Sequence, residues 1–127
     1  MICRRRSPTD LLFFDPDNGL EVKSTRYGTS GSSRYLYWNE VEQAWTTGAS
    51  LLVFQHFTRE PRTLFVDRLS DELARRTGSP LVAAIRTSHV LFLFAGQHRH
   101  KVGFESATRF IERRWAQQAM IDVRISV

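Results

Sequence analysis

Asp15-Pro16-Asp17-Asn18-Gly19 is the segment of this 127-residue chain best suited to chemistry. Pro16 fixes the backbone and Gly19 permits a turn with positive φ. Two carboxylates and an amide are thereby displayed together. A carboxylate so placed accepts hydrogen bonds from an amine or a hydroxyl, and two close carboxylates can hold a divalent cation. The same residue types are also ordinary turn formers. The preceding run favours a site: Asp10-Leu11-Leu12-Phe13-Phe14-Asp15 is apolar between two acids, as a strand buried on both faces would be.

A second chemical segment, Gln55-His56-Phe57-Thr58-Arg59, closes another apolar run. His56 suits a proton carrier or an orienting donor, and equally a structural histidine bonded to a loop carbonyl. Arg59 and Arg62 could steer a phosphate or pair with Asp17. Tyr35, Tyr37 and Trp38 form an aromatic cluster able to stack a nucleic-acid base, or simply to pack the start of a helix. His98 and His100 stand two apart and have no evident third ligand, so no metal site is expected there. The sequence has no Gly-rich phosphate loop of common spacing and no Gly-x-Ser-x-Gly elbow. Cys3, the one cysteine, sits in an expected frayed terminus and is a poor nucleophile.

The elements that would hold these residues follow from periodicity. Residues 10–15 form the first strand. Val41, Ala44 and Trp45 are at helical spacing within 38–47, with Asn39 as N-cap and Gly48 as stop. Residues 51–57 form a second buried strand. Pro61 opens a longer helix ending near Gly78, with Phe65, Leu69 and Leu73 as its core stripe. Asp71 with Arg75, and Glu72 with Arg76, are expected as outward pairs one turn apart. Residues 81–85 and 89–95 are too close for a parallel crossover, so they form an antiparallel hairpin. Phe104, Ala107, Ile111 and Trp115 mark a last amphipathic helix. The tail, 121–127, alternates and fits either an edge strand or an unordered end. The Ser- and Thr-rich stretch 24–33 reads as a mobile loop, and residues 1–9 as irregular.

The expected fold class is therefore α/β in one domain, 1–127. It is a partial Rossmann-like, three-layer open sheet of two parallel strands plus an antiparallel hairpin, flanked by helices. Ligands of such sheets bind beyond the carboxyl ends of the parallel strands. That rule selects the turns after Phe14 and after Phe54.

Composition bounds the partners. Apolar residues make up 42% and charged residues 24%, an ordinary globular balance that argues against whole-chain disorder. The formal net charge of +5 favours contact with polyanions, although clustered arginines are often only solvated helix faces. The longest apolar run, 90–95, is too short to span a bilayer. No signal-type core follows the basic start, and the lone cysteine excludes an internal disulfide, so a cytoplasmic location is the expectation.

In this order the elements resemble the C-terminal half of the class I S-adenosylmethionine-dependent methyltransferase fold. The run from Leu11 to Asn18 looks like that family's fourth strand and its Asp/Asn-Pro-Pro-Tyr/Phe motif. Asp15 and Pro16 match; Asp17 and Asn18 depart. The resemblance covers residues 10–95. It implies that Asp15 and the Pro16 carbonyl receive a target amine and orient its lone pair towards the donor methyl group, catalysis mainly by positioning. Base-modifying relatives stack an aromatic on a flipped base, where this chain has Asn18. In the family the cofactor is held mainly by a Gly-rich turn and an acid upstream of the motif. Here only 1–9 precede the strand. The resemblance thus implies a fragment or shortened relative, inactive or incomplete alone, that does not itself bind S-adenosylmethionine. It also implies an exposed sheet edge needing a partner chain or a second copy. Two readings stand beside it. One is a non-catalytic nucleic-acid or protein binding module using the arginines and the Tyr35, Tyr37, Trp38 cluster. The other is a small metal-assisted hydrolase built on Asp15, Asp17 and His56.

Overall fold

The computed structural model describes residues 10–22, 28 and 35–125. Of the expected irregular segments, 1–9 with Cys3, and 24–33 except Gly28, lie outside the described residues. The elements in chain order are β1 (Leu11–Phe14), α1 (Trp38–Thr46), β2 (Ser50–His56), α2 (Arg62–Thr77), β3 (Leu81–Arg86), β4 (Val90–Gly96), α3 (Lys101–Arg114) and β5 (Met120–Ile125). A short 3-10 turn at His98–His100 leads into α3.

The result is a mixed α/β fold around one five-stranded open sheet in the order β1-β2-β4-β3-β5. β1 and β2 are parallel, with Phe14 opposite Val53. β3 and β4 form the expected antiparallel hairpin. The crossover from β2 through α2 skips one position, and β4 fills it, antiparallel to both neighbours. The alternating tail is an edge strand: β5 lies antiparallel to β3. The direct β1–β2 contact puts the turns after both strands at one end of the sheet.

Helices cover the two faces unequally. On one face Trp38 and Val41 of α1, with Phe65, Val66, Leu69 and Leu73 of α2, bury Leu51, Val53, Val82, Ala84, Leu91 and Leu93. The periodic stripe expected for α2 is the one that packs. On the other face α3 brings Phe104 flat against Phe94, ring centroids 4.4 Å apart, over Leu81, Ala83 and Leu52. That smaller core does not extend to β1. Leu12 and Phe14 pack on the large core, whereas Leu11 and Phe13 are 47% and 54% exposed. The expectation of a strand buried on both faces is thus corrected. The apolar run is real, but the core under α3 reaches Leu52 of β2 and stops short of β1.

Other local expectations shift. α1 is N-capped by Tyr37, not Asn39: Glu40 reaches back to accept the Tyr37 N–H at 2.9 Å. Glu72 does pair with Arg76, at 2.6 Å, but it also takes Arg75. Asp71, expected to pair with Arg75, instead binds Arg124 of β5 at 2.6 Å. Arg76 reaches across to Glu42 at 3.2 Å and so ties α2 to α1. In α3 the buried position is Thr108; Ala107 and Trp115 are exposed. Its inner stripe runs through Phe104, Thr108 and Ile111, so the expected Phe104 and Ile111 face inward while Thr108 takes the place of Ala107.

Candidate functional site

The chain leaves β1 at Asp15 and turns through Asp17 and Asn18, and the Gly19 N–H reaches back to the Pro16 carbonyl at 3.3 Å. Gly19 is buried at φ +84, directly over the side chain of Gln55. A Cβ there would lie 2.5 Å from Gln55 Nε2, so both the backbone angle and the close approach require glycine. Gln55 is 4% exposed on β2. Its Oε1 accepts the Leu20 N–H at 2.9 Å, and its Nε2 donates to the His56 carbonyl at 2.9 Å. The buried amide is satisfied by backbone on both sides, and it fixes the turn to the neighbouring strand.

A second brace runs to α1. Leu36 N–H donates to the Gly19 carbonyl and Glu21 N–H to the Leu36 carbonyl, each at 2.9 Å. Glu21 Oε1 then accepts the Trp38 N–H at 2.7 Å, satisfying a first-turn amide of α1. Asp15, Asp17 and Asn18 stay exposed on this rigid base and make no hydrogen bond or ion pair among the described residues. The outcome is a preformed set of acceptors at the carboxyl end of a parallel strand.

His56 lies at the same end, exposed, with its ring edge-on to Phe54 at 4.9 Å. Arg59 is exposed. Arg62 does not pair with Asp17. It lies over the Phe57 ring, 4.4 Å from the centroid, and donates to the Ser88 carbonyl in the β3–β4 turn. Tyr37 and Trp38 are 3% and 6% exposed. Burial, with Glu21 nearby, raises the Tyr37 hydroxyl pKa above its ordinary value. Packing the start of α1 is the role these two rings fill in this fold; neither face is open for base stacking. Tyr35 is half-buried, edge-on to Tyr37.

Sequence reasoning passed over Gln55 as part of a strand end. A polar residue that continues an apolar strand is either exposed or has buried partners, and the sequence alone does not separate the two for Gln55. Sequence reasoning also missed a polar line at the opposite end of the sheet. Ser50 Oγ accepts the Gln97 N–H at 2.8 Å and lies 2.6 Å from His100 Nδ1, whose Nε2 is 3.6 Å from Asp10. These residue types suit nucleophilic catalysis, but Ser50 is 1% exposed and its oxygen is already engaged. The line fastens the turn before α3 to the first residues of β1 and β2.

Among the described residues no three His, Cys, Asp or Glu side chains converge as a metal ion would need. No helix among them is long and apolar enough to cross a membrane. Comparisons with protein-family models, with curated proteins and with solved structures return no match.

Proposed function

We propose that the Asp15–Gly19 turn is the amine-receiving half of an S-adenosylmethionine-dependent methyl-transfer site. One observation carries this reading: the exposed Asp15 carboxylate and the Pro16 carbonyl sit at a parallel strand end on a turn locked from below by the buried Gln55. Acceptors held in this way bind an N–H-bearing substrate without reorganising, and positioning is the main contribution such a site makes. Asp15 takes one N–H of the amine and the Pro16 carbonyl, whose second lone pair is free of the Gly19 N–H, takes the other. The nitrogen lone pair is thereby turned away from both acceptors. The strand order supports the same reading, with a parallel pair continued by an inserted antiparallel strand.

On this reading the methyl donor is held by residues outside the turn. The glycine turn at this end of the sheet, at Gly19, is closed from below by the Gln55 side chain. Donor contacts would come from elements added at the free side of β1, where no described strand pairs. The test extends the coding sequence upstream and measures donor binding and transfer of labelled methyl groups to nucleic-acid and protein acceptors. The extended protein should bind the donor, and Asp15→Ala should lower transfer about 100-fold or more. An extended protein that neither binds nor uses the donor defeats the reading.

A further inference from the structure

Many arginines of the described chain are already neutralised. Arg68, Arg75, Arg76, Arg99 and Arg124 each have a carboxylate partner. Arg62 and Arg86 have none among the described residues, and both line the same cleft, of about 730 Å³. The cleft lies between the start of α2, the β3–β4 turn and the segment that joins α3 to β5. Thr63, Ser88, His89 and Gln118 also face it, and no Asp or Glu lines it. Of the flanking acids, Glu60 is bound to Arg68, and Asp67 and Asp122, which border an adjoining smaller pocket, are both bound to Arg124. They do not neutralise Arg86, whose guanidinium has, among the described residues, a single weak hydrogen bond, a 3.8 Å approach to the Met120 sulfur. Arg62 uses a single donor on the Ser88 carbonyl. Each guanidinium carries five N–H donors, so most of the donors in this cleft are unspent.

Two further features point the same way. The first turn of α2 has no acidic residue and no side-chain cap, so its amide partial charges are uncompensated where they meet the cleft. The volume suits a nucleotide-sized ligand. We infer that this cleft binds a phosphate group, held by the forks of Arg62 and Arg86 and by the hydroxyls of Thr63 and Ser88.

The source favoured by position is the phosphodiester of a single-stranded nucleic acid. β3 runs in the direction of β2, so Arg86 ends its strand at the same end of the sheet as the Asp15 turn. The two places are three strand spacings apart, about 14 Å. A strand of nucleic acid crossing that end would meet both. The net charge of +5 suits such a partner. The inference does not rest on methyl transfer, since a phosphate cleft serves a binding module equally.

The experiment measures binding of the full chain to labelled single-stranded DNA and RNA by fluorescence anisotropy across a salt series. A parallel arm follows melting temperature with inorganic phosphate against chloride at equal ionic strength. Arg62→Gln/Arg86→Gln should weaken oligonucleotide binding about tenfold, and the salt slope should become shallower by about 0.7 for each phosphate no longer neutralised. Arg113→Gln/Arg114→Gln, exposed on α3, is the control and should leave both unchanged. Arg62→Gln alone, at an exposed position, guards against a folding defect in the double variant. Stabilisation by inorganic phosphate that the double variant abolishes would assign the cleft to free phosphates, and supports the same chemistry. Equal binding by wild type and the cleft variants in both arms, or an equal weakening in the control, overturns the inference. Neither arm reads methyl transfer, so its failure is distinct from failure of that proposal.

Discussion

At the scale of single residues, the turn that displays Asp15 depends on one fit. Gly19 supplies a left-handed backbone angle and the absence of a Cβ, and Gln55 fills the space. Gly19→Ala should therefore cost stability twice, through strain at φ +84 and through displacement of the Gln55 amide. Gln55→Ala alone should cost about 1–3 kcal/mol, because the Leu20 N–H is left without its buried acceptor. In the double variant the clash is gone, while the backbone strain and the unpaired Leu20 N–H remain. The two single costs should then sum to more than the double variant shows, with a coupling of about 0.5–3 kcal/mol in urea denaturation. Additive costs would mean that this close fit does not hold the turn. Half of this unit was legible in the sequence. Proline, glycine and paired acids announce a turn from local chemistry alone. Gln55 does not announce its role, since its partner Leu20 is 35 residues away and nothing local separates a buried amide from a solvated one.

At the scale of elements, strands and helices were legible wherever period and punctuation agreed. The hairpin followed from the short connection between its two runs, and α2 from Pro61, Gly78 and its apolar stripe. The inner stripe of α3 was legible only at Phe104 and Ile111, because its outer apolar residues, Val102, Phe110 and Trp115, are exposed and mix with the inner ones in any count of period. The ion-pair partners were not legible, because they are chosen between elements. Glu72 illustrates the consequence. Partial burial works against its charge, but the hydrogen bonds from Arg76 and the charge of Arg75 outweigh that and hold the carboxyl below its ordinary value of 4.5. A carboxylate with a lowered folded-state pKa stabilises the fold above the unfolded value, and that contribution fades as pH falls through the folded one. Glu72→Gln should therefore lower stability at neutral pH by about 0.5–1 kcal/mol, discounted because Arg75 is largely exposed. The gap between variant and wild type should begin to close below pH 4.5. Melting curves across pH check this; a gap constant down to the acid limit would mean the charge is not what Glu72 contributes.

At the scale of the molecule, the sheet has two edges of different character. The β5 edge, Met120–Ile125, carries Asp122 and Arg124, and charges on an edge strand discourage another chain from pairing there. The β1 edge, Leu-Leu-Phe-Phe, carries none. Its Leu11 and Phe13 side chains are half exposed, so among the described residues an edge with no strand partner and apolar surface coincide at one strand. The apolar run of β1 was legible, but its open face was not, since the reach of α3 is a property of the assembled layers. Such an edge either receives further strands or pairs with another copy. The chain on its own should associate with rising concentration, seen as an increasing weight-average sedimentation coefficient. Leu11→Lys/Phe13→Lys should abolish that increase at little cost in stability, because both positions are exposed. Val102→Lys, at an exposed apolar position on α3 where no strand edge is open, should leave it intact. Association that survives the β1 substitutions, or that Val102→Lys removes, would place the sticky surface elsewhere; a chain that stays monomeric at every concentration would mean that the β1 edge is protected as it stands.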